Sequence, residues 1–188
     1  MEKEITFEQA KEIMDYIADT IKNEVGINEL DLTKCWESSF AIQRFCYGKF
    51  KACPLKTTGL GFPHLTHCFD IVSISPKYSF IVDLTYKQFD TEKYPLGIIN
   101  NKKVYIKGPY KNLSEKNQKE IEIVGYIPLT KENLADYLYS LMESYKDKFN
   151  IDEEFVLSET LGTIKDYGIN LCDMKDFRYS TNIESNQK

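Results

Sequence analysis

The sequence predicts an α+β fold: two N-terminal helices, the second bearing Cys35, packed on an antiparallel sheet. Three observations point there. A capping box opens a helical apolar period near the N-terminus. A second helical pattern starts around Cys35. Two apolar runs, His67–Ile74 and Tyr78–Leu84, are separated by only Ser75-Pro76-Lys77, a spacing short enough for a hairpin.

The first helix starts at Thr6-Phe7-Glu8-Gln9, a Thr cap with Gln three residues on. Ile13, Met14, Ile17 and Ile21 then recur at helical spacing, and Gly26 suits the left-handed turn that ends a helix. Thr33 is the expected N-cap of the second helix, which runs to about Tyr47. Its expected buried stripe is Trp36, Phe40, Ala41, Phe45 and Cys46. Residues 49–66 carry Pro54, Gly59, Gly61 and Pro63 and read as loop with one short strand.

Beyond the hairpin, Val104-Tyr105-Ile106 reads as a strand, and Ile121–Ile127 as either a strand or a short helix. Thr130-Lys131-Glu132-Asn133 opens a late helix, with Leu134, Leu138, Leu141, Met142 and Tyr145 on one face. A Gly-broken helix or strand covers about Glu154–Tyr167. One domain over residues 1–179 and a flexible polar tail over 180–188 are expected.

Composition narrows the function. Hydrophobic residues are 42% of the chain, enough for a core, and the net charge is −5. That balance argues against a nucleic-acid partner, which needs a basic surface. No apolar run has the length of a membrane span. Met1–Ile5 lacks the apolar stretch of a signal peptide, so the expectation is a cytoplasmic protein, or one secreted without a cleaved signal. Five cysteines show no disulfide framework and fit free thiols.

Three residues then carry chemistry. Cys35 lies in the first turn of a helix, where unpaired N–H groups and the dipole favour a thiolate. His67 opens one strand and can hold the proton. Asp83 ends the next strand and can orient the imidazole and stabilise its charged form. With Pro76 as the centre of the hairpin, His67 lies about nine residues before it and Asp83 about seven after. Both therefore fall at the end of the hairpin away from the turn, on neighbouring strands.

In order and spacing, Cys35, His67 and Asp83 resemble the triad of the transglutaminase-like and papain-like thiol enzymes. Asp83-Leu84-Thr85-Tyr86 is similar to that core's Asp-Pro-Thr-aromatic, with Leu in place of Pro. Cys35-Trp36 before Ser38-Ser39 resembles the Cys-Trp of papain-type helices, and Tyr86-Lys87-Gln88-Phe89 resembles a segment of some bacterial effector cysteine proteases. The resemblance covers residues 28–90, about a third of the chain. Lys34 stands where a small residue is common, and the aromatic after the His is displaced to Phe69.

The resemblance implies a papain-like or transglutaminase-like core and a cysteine protease or amidase that needs no cofactor. Its substrate would be a protein, a peptide or a glutamine side-chain amide, attacked through an acyl-enzyme. Deamidase or transglutaminase activity, and a catalytically inactive binding module, are the alternatives. The Cys35 backbone N–H is the expected oxyanion donor, with Asn28, the nearest upstream amide, as the second. Trp36, His64 and Tyr86 are expected to line the cleft. The rival reading is a zinc site among Cys46, Cys53, His64, His67 and Cys68, whose spacing is not a usual finger or ribbon. Alternation along a strand sets Cys68 on the face opposite His67, which weakens any site using both.

Overall fold

In the computed structural model, residues 4–27, 34–56, 67–86, 98–99, 104–105, 121–122, 125–143 and 152–173 are described. Helix α1 is Phe7–Val25. Thr6 accepts from the Gln9 N–H while the Gln9 side chain accepts from the Thr6 N–H, so the capping box is complete. Gly26 ends the helix in the left-handed region, at φ 67°. Ala10, Met14, Ile17, Ala18 and Ile21 form its buried stripe.

Helix α2 is Cys35–Cys46, and its N-cap is Lys34, which offers no side-chain cap. The expected cap, Thr33, lies outside the described residues. Lys34 instead donates from Nζ to the carbonyls of Val25 and Gly26, at 3.0 and 3.2 Å. A cation is thereby set on the negative end of α1, tying the two helices together. The buried stripe of α2 also differs from the expected one. Cys35, Ser38, Ser39, Ala41, Ile42 and Cys46 face inward, whereas Phe40 is 74% exposed and Trp36 40% exposed. The small residues allow α2 to lie close on the sheet, and that proximity outweighs the burial of the larger rings.

The main sheet contains β1 (Lys51–Lys56), β2 (Cys68–Ser73), β3 (Ser79–Val82) and β7 (Tyr126–Pro128), in the order β1-β2-β3-β7, antiparallel throughout. Pro54 is tolerated because β1 is an edge strand. In the β2–β3 hairpin, Asp70 pairs with Val82 and Ser73 with Ser79, each pair symmetric about Pro76. Three two-residue strands form a second sheet in the order β5-β4-β6: β4 (Ile98–Ile99), β5 (Val104–Tyr105) and β6 (Ile121–Glu122). The apolar run at 121–127 is thus split between the two sheets.

Thr130 Oγ1 accepts from the Asn133 N–H at the head of α3 (Lys131–Glu143). Asp152 caps α4 (Glu153–Asp166), which runs unbroken through Gly162 and packs on α3. The two faces of the sheet are covered by different helices. Asp70 meets Ser39 of α2, and its neighbour Phe69 meets Tyr137 of α3, with ring centroids 4.9 Å apart. Successive strand residues point to opposite faces, so α2 and α3 lie on opposite sides. Helix α1 shares the α2 side: Phe7 packs on Phe80, and Tyr126 donates to Asp15. Among the described residues no helix is long and apolar enough to cross a membrane.

Candidate active site

The turn after β3 fixes Asp83. Its N–H donates to the Gly125 carbonyl at 2.8 Å, and its own carbonyl accepts from the Tyr86 N–H at 3.3 Å. Thr85 donates to Asp83 Oδ1 from both its N–H and its Oγ1, each at 3.0 Å. That closes an Asx turn, so Asp83 caps a turn with one oxygen and turns the other toward His67 and Tyr137. Oδ2 accepts from the Tyr137 hydroxyl at 2.8 Å and lies 2.7 Å from His67 Nε2. With four donors on one carboxylate, its position is over-determined.

Gly125 is required here. Its φ is +80°, and an added Cβ would lie 3.1 Å from the Asp83 carbonyl oxygen and 3.2 Å from Leu84 Cα.

His67 is buried at 2% exposure, just before β2 begins. Burial by itself would push its pKa down. The Asp83 charge and hydrogen bond, joined by those of Cys35, override it and raise His67 to about 9. Asp83 occupies Nε2, which leaves Nδ1 for Cys35.

Cys35 is the first residue of α2 and is 6% exposed. Its pKa is lowered to about 4. The largest cause is a hydrogen bond from the Cys68 thiol. Burial opposes it, and the His67 hydrogen bond, the Cys68 backbone N–H and the His67 charge add to the lowering. Between about pH 4 and pH 9 the pair is therefore thiolate and imidazolium. Cys46 and Cys53 behave oppositely: burial and then the charge of Asp70 push them up to about 11 and about 12, with Lys49 offsetting part of this at Cys46. Burial also raises Cys172, against backbone hydrogen bonds from Ser79 and Leu129.

Below Cys35 sits a second carboxyl. Asp70 Oδ1 accepts from Ser39 Oγ at 3.1 Å, while its buried Oδ2 has no hydrogen-bond partner. Gln43, the nearby amide, donates to the Ser39 carbonyl and Oγ. Burial, reinforced by the Asp83 charge, outweighs the Ser39 and Gln43 hydrogen bonds and raises Asp70 to about 8. At neutral pH Asp70 is largely a neutral acid.

The structure thus brings Cys35, His67 and Asp83 together at one end of the sheet. Asn28 and His64 lie outside the described residues. Trp36 is turned about 100° around α2 from Cys35, toward a groove with Glu24, Phe40 and Arg44. Tyr86 is not a cleft wall: it is 2% exposed, its ring packed at 5.8 Å against Tyr137. Cys68 corrects the alternation argument. His67 precedes the strand, so strict alternation does not bind it, and both side chains reach Cys35. For the zinc reading, Cys46 and Cys53 are fully buried in the core, and among the described residues no three His, Cys, Asp or Glu could hold a metal.

Sequence reasoning missed Tyr137, Gly125 and the Ser39–Asp70 pair, and placed Thr85 in the Asp83-Leu84-Thr85-Tyr86 motif without giving it a role. Only Tyr137 gave a signal: a hydroxyl in the apolar stripe of α3, where a buried Tyr needs a partner. Compared with protein-family models, with curated proteins and with solved structures, the chain matches none.

Proposed function

We propose that this protein is a thiol-dependent amide hydrolase or acyl transferase, acting on a peptide bond or a glutamine side-chain amide. In this reading the hairpin and α2 form a papain-like or transglutaminase-like core. The observation that carries it is the joined set Cys35–His67–Asp83, with the thiol lowered to about 4 and the imidazole raised to about 9. A structural cysteine buried in a core is pushed the other way, as Cys46 and Cys53 are.

The chemistry follows from the protonation state. The Cys35 thiolate attacks the amide carbonyl carbon, and a C–S bond forms as charge moves to oxygen. The Cys35 N–H, in the first turn of α2 where no intrahelical acceptor exists, is a donor to that oxyanion. Imidazolium His67 gives its proton to the leaving nitrogen, the C–N bond breaks, and a thioester remains. His67, now neutral, takes a proton from water or from an amine, which attacks the thioester and releases the thiol group. Asp83 keeps the ring in one orientation through Nε2 and is itself held by Thr85 and Tyr137.

Incubation with a proteome, followed by mass spectrometry, tests the reading. New chain termini assign a protease, Gln converted to Glu a deamidase, and Gln–amine adducts a transglutaminase. Each product should vanish with Cys35→Ala. If the wild-type chain gives none of the three, the amide reading fails.

A further inference from the structure

Cys68 has no assigned part in amide cleavage that needs a thiol; a hydroxyl could donate the same hydrogen bond. The register of α2 on β2 is informative. Ser39 and Cys35 are one helical turn apart, and Asp70 and Cys68 are two strand residues apart on one face. Four helical residues rise about 6 Å and two strand residues about 6.6 Å. The Ser39–Asp70 hydrogen bond of 3.1 Å fixes one rung, and the matching rises set Cys35 over Cys68 as the next. The hydrogen bonds from the Cys68 thiol and backbone N–H that lower the Cys35 pKa agree with that rung.

We propose that Cys35 is also an oxidation site for hydroperoxides, and that Cys68 is its resolving thiol, so that the two form a reversible disulfide. This rests on Cys35 being the reactive thiolate of the proposed function, but not on which amide it attacks.

The Cys35 thiolate attacks the terminal oxygen of a hydroperoxide. An S–O bond forms and the O–O bond breaks. Cys35 becomes a sulfenic acid, and the peroxide leaves as the alcohol or water after taking the His67 proton. The Cys68 thiol then attacks the sulfenic sulfur. The S–S bond forms, the S–O bond breaks, and water departs with the Cys68 proton. Two electrons pass from the two thiols to one peroxide. The disulfide removes the nucleophile until an external dithiol reduces it.

No other cysteine competes. Cys46 lies at the far end of α2 from Cys35, about 16 Å along the helix, and Cys53 pairs with Ile71, on the sheet face opposite Asp70 and Cys68. Cys172 Sγ is held at Ser79, accepting from its N–H at 3.2 Å and donating to its carbonyl at 3.0 Å.

The test uses the full chain, a slight excess of hydrogen peroxide, an alkylating quench, intact mass and a peptide map. The expected product has lost two hydrogens and links the Cys35 and Cys68 peptides. Cys35 alkylation should fall about tenfold or more and recover with dithiothreitol. Cys68→Ser retains a donor but cannot resolve the sulfenic acid, so it should accumulate sulfinic acid at Cys35 that dithiothreitol does not reverse. Oxygen gained at Cys35 of the wild type without a link, a link between another pair, or no reaction would each overturn the inference. A link formed in a chain without amide-cleaving activity would sink the proposed function and leave this one standing. Activity without a link would do the reverse.

Discussion

Asp83 has two oxygens and uses them for different tasks. Oδ1 closes the turn through Thr85, and Oδ2 is shared by His67 and Tyr137. The Tyr137 hydroxyl stabilises the carboxylate charge and so competes with the imidazolium for it. Tyr137→Phe should move the end of the ion-pair plateau of Cys35 alkylation above about pH 9, as His67 no longer shares Oδ2 with a second donor, read from a pH–rate profile. The same substitution removes a hydrogen bond to a buried charged group. It should cost about 1.5–3 kcal/mol of stability in urea denaturation. A variant that loses stability with an unmoved profile would give Tyr137 a packing role only.

At the level of elements, the site is assembled by segments that the sequence marks unevenly. The first helix was legible from Thr6, Gln9 and Gly26 because capping is a local effect of a few residues. The hairpin was legible because Pro76 lies at the centre of two apolar runs. The inward face of α2 was not, since apolar pattern favours Trp36 and Phe40 while the close approach of helix to sheet selects Cys35, Ser39 and Ile42. Phe40→Ala should therefore change stability by no more than about 0.5 kcal/mol, as for an exposed site. The turn at Gly125 depends on a contact between segments 42 residues apart, which no local pattern reveals. Gly125→Ala must adopt φ near +80° against the Asp83 carbonyl. A destabilisation of more than about 1 kcal/mol is expected, with loss of fast Cys35 labelling as Asp83 shifts.

For the whole molecule, one end of a four-stranded sheet gathers polar groups from both of its faces. Cys35 comes from α2 on one side and Tyr137 from α3 on the other, so the C-terminal half adds a partner to Cys35, His67 and Asp83, which all lie in the first half. Burying these groups links folding to pH. Asp70 holds its proton to about pH 8 when folded, whereas an unfolded Asp loses it near 3.9. Its contribution to stability is therefore present below about 4 and is lost as pH rises toward 8. Relative to Asp70→Asn, the wild type should lose about 1.4 kcal/mol per pH unit across that interval. Denaturation of both chains at pH 5 and pH 7.5 reads the difference, and parallel curves would mean that Asp70 stays charged.

The central claim is that Cys35 is a thiolate paired with imidazolium His67, and iodoacetamide labelling of all five cysteines across pH tests it most directly. The account predicts that Cys35 labels fastest, with a rate that rises through about pH 4, changes little to about pH 9, and slows at acidic pH in His67→Ala. A single rise near the ordinary thiol pKa of about 8.5, unchanged by His67→Ala, would contradict it.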